Sequence, residues 1–212
     1  MRKTARNSNF PHLYLMMNKP LGAVCATASD SHPTVFSFLE DDKQKQASSA
    51  PRGVRLHTVG RLDSDTSGLL LLTTDGRFSH RITAPESAIK KTYLAGLKTP
   101  VATPQEQEKY TAACARGITL PPDRKAPEQK AAPALLEWLT PQQCRITVTE
   151  GRFHEVRRIF QTLKNEVTTL ERIAIGTLTL DKTLAPGEWR ELTKEEVQLF
   201  EVQLFKDNYG HL

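Results

Sequence analysis

Residues 58–76 read TVGRLDSDTSGLLLLTTDG and place a polar, acidic turn directly before four consecutive leucines. A short apolar run bounded by turn residues is typical of a buried strand. The strand is predicted to end at the turn dipeptide 75–76, DG. A loop that is anchored on a buried strand can hold a reactive side chain rigidly at the wall of a cleft. Asp63 is the first candidate for such a side chain.

The acidic turn also resembles the first half of a calcium-binding loop. Asp63 and Asp65 would occupy positions 1 and 3, but position 12, which requires a bidentate glutamate, is Thr74. Leucines fill the ligand positions between them, so the pattern does not favour a calcium site. Taken alone, the turn leaves open a second interpretation, in which Asp63 only caps the loop.

The flanking segments alternate between strand-like and helix-like patterns. LYLMM at 13–17 predicts a buried strand that stops at KPLG (19–22), and residues 23–27 predict a second strand, so the opening suggests a hairpin. Further strands are predicted at Thr92–Leu97, Ala134–Leu139, Arg145–Thr149 and Gly176–Leu180. Several strands interleaved with few helices predict an α+β domain with a mostly antiparallel, mixed sheet.

Three helices are indicated by their caps and their apolar spacing. TPQE at 103–106 and TKEE at 193–196 are capping boxes, and Gly117 would end the first of these helices. In the third helix Val156, Ile159, Phe160 and Leu163 recur at helical spacing and predict a buried stripe. This spacing places Arg157 beside the stripe and points Arg158 nearly away from it.

Polar or basic segments connect these elements. Residues 1–12 form a basic tail, and residues 41–55 and 121–133 predict exposed connectors, the second containing four prolines. The tandem EVQLF at 196–200 and 201–205 predicts a helix end that is packed or contacts a partner.

The composition is that of a globular protein with a mild basic surplus. Its 212 residues include 29 Lys+Arg against 24 Asp+Glu, a net charge of +5, which favours a polyanionic partner. The sequence has neither an apolar run of about 20 residues nor a secretory signal, so we expect a cytoplasmic protein. The three cysteines are far apart and lack zinc-ligand spacing.

Several motifs together resemble the pseudouridine synthases of the ribosomal small-subunit type. The resemblance rests on NKPLG (18–22), HPTV (32–35), GRLD (60–63), TSGLLLLT (66–73), KTY (91–93), EGRFHEVRR (150–158) and APGEWR (185–190), in family order. It implies a catalytic domain over residues 13–195, with a cleft between two lobes and a C-terminal helix and tail at 193–212. Members often carry a small N-terminal RNA-binding domain, which the twelve residues before Leu13 cannot form.

The resemblance also implies an activity and roles for individual residues. The reaction isomerises uridine to pseudouridine without cofactor or metal, and the ionised carboxylate would be Asp63, as nucleophile at C1′ or as base at C2′. Tyr93 would stack on the uracil, and Arg61 would hold the flipped nucleotide. Arg157 would pair with Asp63 and keep it charged.

Further basic residues are candidates for contact with RNA phosphates. They are Arg77, His80, Arg81, Lys90, Lys91 and Arg158. The expected partner is ribosomal RNA or a pre-ribosomal particle, the expected state a monomer, and small-subunit RNA the favoured substrate. The alternatives are a large-subunit enzyme, a non-catalytic assembly factor that binds ribosomal RNA, and a metal-dependent nuclease.

Overall fold

The computed structural model describes residues 11–39 and 54–200, which form strands and helices in mixed order. The strands are β1 (Tyr14–Lys19), β2 (His57–Thr58), β3 (Ser67–Thr73), β4 (Lys91–Leu97), β5 (Thr119–Leu120), β6 (Gln129–Lys130), β7 (Leu135–Thr140), β8 (Gln143–Val148), β9 (Val167–Ile175), β10 (Leu178–Thr179) and β11 (Trp189–Glu191). The α-helices are α1 (Gly76–Thr83), α2 (Pro104–Arg116), α3 (Glu155–Thr162) and α4 (residues 194–200). Short 3₁₀ turns occupy Val35–Phe38 and Pro85–Ser87.

One large mixed sheet organises the described part of the chain. Its order is β11-β1-β3-β9-β4-β8-β7, with β2 on β3 and β10 on β9. The β3–β9 pair is parallel and the other pairs are antiparallel. Strands β5 and β6 form a separate two-stranded ribbon. The prediction of an α+β fold with a mostly antiparallel, mixed sheet is confirmed.

The four leucines of β3 are buried on both faces of the sheet, with no exposed surface. Leu69 and Leu71 pack with Phe78 of α1, whereas Leu70 and Leu72 pack with Val35 on the opposite face. A strand covered on both sides reads as a continuous apolar run rather than an alternating one. The leucine segment is therefore the central anchor for the loop that precedes it.

The two capping boxes predicted from the sequence are present in the structure. The side chain of Thr103 accepts from the backbone of Glu106 in a complete capping box at the start of α2, and Gly117 ends that helix. Thr193 makes the same exchange with Glu196 before α4. The sequence did not predict α1, which begins where Asp75 accepts from the backbone N–H groups of its first turn.

One strand prediction was wrong, and one strand was missed. Residues 23–27 do not form a hairpin with β1, because β3 and β11 already flank that strand, and Val24 makes only a single bridge to Thr34. Strand β9 was not predicted, although it lies at the centre of the sheet. Its sequence, VTTLERIAI, is interrupted by a charged pair that includes the buried Arg172, and this interruption breaks the apolar pattern.

The prediction that Arg158 points away from the core was also wrong. Arg158 is 1% exposed, and its guanidinium donates to the carbonyls of Pro121 (2.8 Å), Pro127 (2.7 Å) and Phe153 (3.2 Å). The 121–127 segment covers this face of α3, so the arginine fastens a loop and does not face solvent. It cannot reach an RNA phosphate in this structure.

Some predictions concern residues outside the described ranges. They are most of the basic tail (1–10), most of the 41–55 connector and the second EVQLF copy. Of the 121–133 connector, only Gln129–Lys130 is a strand. Within residues 11–39 and 54–200, no helix is long and apolar enough to cross a bilayer.

Candidate active site

A cavity of about 600 Å³ opens beside the loop that precedes β3. Its wall is formed by residues 59–63, the end of α1, the start of β4, residues 148–157 and the middle of β9. Arg61, Asp63, Tyr93 and Arg157 all line it. They come from three separate segments of the sequence, one of which holds both Arg61 and Asp63, and the fold gathers them at one cavity.

The Asp63 loop is fastened to its surroundings by main-chain hydrogen bonds. The backbone N–H of Gly22 donates to the carbonyl of Ser64 (2.7 Å), and the N–H of Thr66 donates back to Asp63 (3.1 Å). The ammonium of Lys19, which is fully buried, donates to the carbonyl of Thr66 (2.8 Å). Burial lowers the pKa of Lys19, opposed by the negative charges of Asp63 and Asp65. The NKPLG turn therefore supports the Asp63 loop.

Arg157 does not pair with Asp63 as the sequence led us to expect. Its Nη2 lies 3.0 Å from Oδ2 of Asp65 and donates to the Asp65 carbonyl at 3.1 Å, while Nη1 donates to the carbonyl of Val167 at 3.0 Å. The first turn of α3 aims the guanidinium at the second aspartate of the loop. Arg157 therefore links the helix, the loop and β9.

Asp63 instead faces His154, which the sequence motif contained but to which no role was given. Nε2 of His154 lies 3.6 Å from Oδ1 of Asp63, and the Asp63 side chain is 38% exposed. The other ring nitrogen, Nδ1, lies 2.8 Å from Oδ2 of Asp123. The hydrogen bond from His154 is the main reason that the pKa of Asp123 is lowered.

The floor of the cavity is formed by neighbouring strands. Tyr93 of β4 lies opposite Arg172 of β9, and Arg172 is 4% exposed. Its Nε donates to the carbonyl of Leu69 at 2.8 Å, whereas its buried Nη2 has no hydrogen-bond partner among the described residues. Buried donors without a partner are rare in folded proteins, and this one belongs to a residue that lines the cavity.

Two further ionisable groups line the same cavity. Glu155 is 6% exposed, and burial raises the pKa of its carboxyl to about 7. Burial lowers the pKa of Lys91, the first residue of β4. Perturbed groups of this kind collect at functional sites because the fold excludes water from them.

The candidate phosphate contacts fall into three groups. Lys91 lines the cavity. Arg77, His80 and Arg81 lie on α1, whose C-terminal end forms part of the wall, and Lys90 is exposed just before β4. None of these four residues lines the cavity, and Arg158 is buried. In the described part of the chain, no group of three or more His, Cys, Asp or Glu side chains is arranged to hold a metal ion.

Comparison with known proteins gives independent information on the family of this chain. The profile of the RNA pseudouridylate synthase family matches residues 13–162. Ribosomal small subunit pseudouridine synthase A of Salmonella typhimurium is 45% identical over 184 residues, covering 87% of this chain and 72% of the relative. The enzyme of the same name from Haemophilus influenzae is 42% identical over 185 residues, with the same coverage.

Solved structures extend the comparison to the fold. A crystal structure of a pseudouridylate synthase superposes with a TM-score of 0.77 at 41% identity, covering 90% of this chain and 74% of that one. An archaeal box H/ACA Nop10–Cbf5 complex shares the fold, with a TM-score of 0.53 at 16% identity, over 93% of this chain and 56% of that one. The chain therefore belongs to the RNA pseudouridylate synthase family.

Proposed function

We propose that this protein converts a uridine of small-subunit ribosomal RNA to pseudouridine, with Asp63 as the carboxylate that begins the reaction. The observation that carries the proposal is that Arg61, Asp63, Tyr93 and Arg157 line one cavity. The substrate class is supported by relatives of 42–45% identity that are named as small-subunit enzymes.

The chemistry requires a carboxylate that can reach a ribose. The bond between C1′ and uracil N1 breaks, the base turns, and C5 bonds to C1′, so the product is an isomer of the substrate. The Asp63 side chain is 38% exposed at the cavity wall and can meet the sugar as nucleophile at C1′ or as base at C2′. Both routes need the carboxylate ionised.

The neighbouring residues have distinct proposed roles. Tyr93 is half-buried on the cavity floor, where its ring can stack on the uracil while the base turns; such stacking stabilises by about 1–3 kcal/mol. Arg61 is exposed at the cavity wall and is placed to hold the flipped nucleotide. Arg157 positions the loop through Asp65.

The RNA backbone is proposed to follow the basic surface beside the cavity. Lys91 lines the cavity, and the exposed Arg77, His80 and Lys90 and the half-buried Arg81 lie on α1 and just before β4, two segments that also contribute residues to the cavity wall. Contacts between such residues and phosphates make RNA affinity fall steeply with salt. The proposal places the protein in the cytoplasm with ribosomal RNA or a pre-ribosomal particle, acting as a monomer.

Release of tritium from uracil C5 tests the proposal, because rejoining through C5 expels that hydrogen. Labelled transcripts and assembled subunits, small and large, are incubated in EDTA with the wild-type protein, with Asp63→Asn or with Asp30→Asn. Asp30→Asn is the control, because Asp30 is an exposed aspartate outside the cavity. We expect release from small-subunit RNA by wild type and Asp30→Asn, and none by Asp63→Asn.

Other results would change the assignment in defined ways. Release from large-subunit RNA alone would transfer the substrate to that subunit. Tight binding without release on any substrate would indicate an assembly factor. Undiminished release by Asp63→Asn would remove Asp63 from the chemistry.

A further inference from the structure

His154 lies between two carboxylates at the edge of the cavity. Its Nε2 faces Asp63 at 3.6 Å and its Nδ1 faces Asp123 at 2.8 Å. The side chain remains 31% exposed and lines the cavity with Asp63. A histidine with one nitrogen held by a carboxylate and the other facing a substrate cavity has the geometry of an acid–base group.

The backbone conformation of His154 fixes the direction of its ring. His154 has φ +49°, in the left-handed region, immediately before α3. Residues kept in sparsely populated backbone conformations cluster at active sites, where the surrounding structure holds them. The ring also stacks on Phe153, with centroids 3.8 Å apart and planes 22° apart. The stacking on Phe153 and the hydrogen bond to Asp123 limit the rotation of the imidazole.

Asp123 is brought to His154 by a loop that the buried arginine fastens. Asp123 and Ala126 exchange two backbone hydrogen bonds (2.8 and 2.9 Å). On either side of that turn, the carbonyls of Pro121 and Pro127 accept from Arg158. The proline-rich connector thus delivers a carboxylate to the site. When Nδ1–H of neutral His154 donates to Asp123, the other nitrogen, Nε2, carries the lone pair, which faces Asp63 and the cavity.

We propose that His154, oriented by Asp123, is the proton carrier of the isomerisation, taking the C5 proton and returning one to N1. The inference rests on the proposed function. Once C5 has bonded to C1′, the C5–H bond breaks and the proton passes to Nε2 of neutral His154. The attack of C5 on C1′ leaves a double bond between N1 and C6. The pair from the C5–H bond then forms the C5–C6 double bond, and the π pair of the N1–C6 double bond moves onto N1.

The imidazolium then gives a proton to N1, the atom that the broken glycosidic bond left. One proton is taken and one is returned, so the step needs no oxidant, reductant or further reactant. The carboxylates of Asp63 and Asp123 stabilise the imidazolium while it exists.

Single-turnover conversion of a small-subunit RNA transcript carrying protium or deuterium at uracil C5 tests the relay. His154→Gln is expected to slow product formation by about 100-fold, the lower range for acid–base catalysis, and to raise the isotope effect above that of wild type. Asp123→Asn is expected to slow it about tenfold with the same isotope signature. His57→Gln, outside the cavity, is the matched control and should equal wild type.

A second measurement covers the case in which His154→Gln is poorly folded. Imidazole added to the His154→Ala variant should restore its rate of product formation. Asp123→Asn reports on the same step independently. A wild-type rate in His154→Gln, or a slowed rate with an unchanged isotope effect, would overturn the relay. Failure of the wild-type protein to make pseudouridine in either ribosomal RNA would instead overturn the proposed function, and the relay with it.

Discussion

Arg157 binds Asp65 twice, through the carboxylate at 3.0 Å and through the backbone carbonyl at 3.1 Å. The Asp65 side chain is 62% exposed, so solvent screens the ion pair and leaves it only a small contribution to stability. The carbonyl contact and the third bond, to Val167, join the loop to β9. Arg157 therefore fixes the position of Asp63 indirectly, through the loop that both aspartates share.

Replacing Arg157 is expected to reduce turnover more than replacing its carboxylate partner. Arg157→Ala removes the ion pair and both main-chain hydrogen bonds, and a loosened loop that misplaces Asp63 by about 1 Å costs on the order of 100-fold in rate. Asp65→Asn keeps the carbonyl contact and should lose less than about tenfold. Single-turnover rates at saturating RNA measure both. Equal losses would show that the ion pair, not the main-chain contact, holds the loop.

Arg158 is expected to matter for stability and not for the salt dependence of RNA binding. Arg158→Met leaves three buried carbonyls without donors and should lower the free energy of unfolding by about 3 kcal/mol. Arg145→Met is the control, because Arg145 is 40% exposed and pairs with an exposed glutamate. Urea denaturation measures the first effect and titration of RNA binding against salt the second. A shallower salt slope in Arg158→Met would restore the phosphate-contact hypothesis.

Much of the fold could be predicted because its strongest signals are local. The leucines of β3, the capping box of α2 and the apolar stripe of α3 depend on neighbours within a few residues, and each is where the sequence indicated. Strand β9 and the buried Arg158 depend on distant partners. A charged residue inside the protein contradicts the apolar pattern, and only the fold shows which carbonyls satisfy it.

The sequence motifs named candidate site residues, but they did not predict which of those residues contact one another. The motifs gave Asp63, Tyr93 and Arg157, which do line one cavity. Asp123 lies in a connector whose prolines indicated only irregular structure, and its contact with His154 spans 31 residues. A pairing of this kind has no periodic signal in sequence, because it depends on how a loop is folded over a helix.

The approach of β3 to β9 depends on Gly68. Gly68 has φ +96°, and a Cβ there would fall against the backbone carbonyl of Arg172 on the parallel neighbour. Gly68→Ala is therefore expected to lower the free energy of unfolding by about 3 kcal/mol, from backbone strain and overpacking. At Gly76 a Cβ would meet nothing within 4 Å, so Gly76→Ala should change stability by less than about 0.5 kcal/mol. Thermal unfolding of both variants makes the comparison, and equal midpoints would contradict the close approach.

Glu155 gives the protein a pH dependence of stability with a definite sign. Burial raises its pKa from 4.5 to about 7, and the positive charges of Arg152 and Lys91 only partly oppose that rise. Below about pH 4.5 the carboxyl is protonated in the folded and the unfolded states, so its effect is absent. Between 4.5 and about 7 the unfolded chain loses the proton first, and folding becomes progressively less favourable.

Glu155→Gln should remove this cost while keeping an acceptor for the backbone N–H of Arg152, to which Oε2 lies at 3.1 Å. A shift of this size corresponds to about 3 kcal/mol once both states are ionised, so the variant should be more stable than wild type by up to that amount near pH 8.5. At about pH 4 the two proteins should have similar stability. Urea denaturation across this range measures the difference, and Glu137→Gln, on the exposed edge strand, is the matched control. A difference that is largest at acidic pH would mean that the fold stabilises the ionised carboxylate, and that the pKa of Glu155 is lowered.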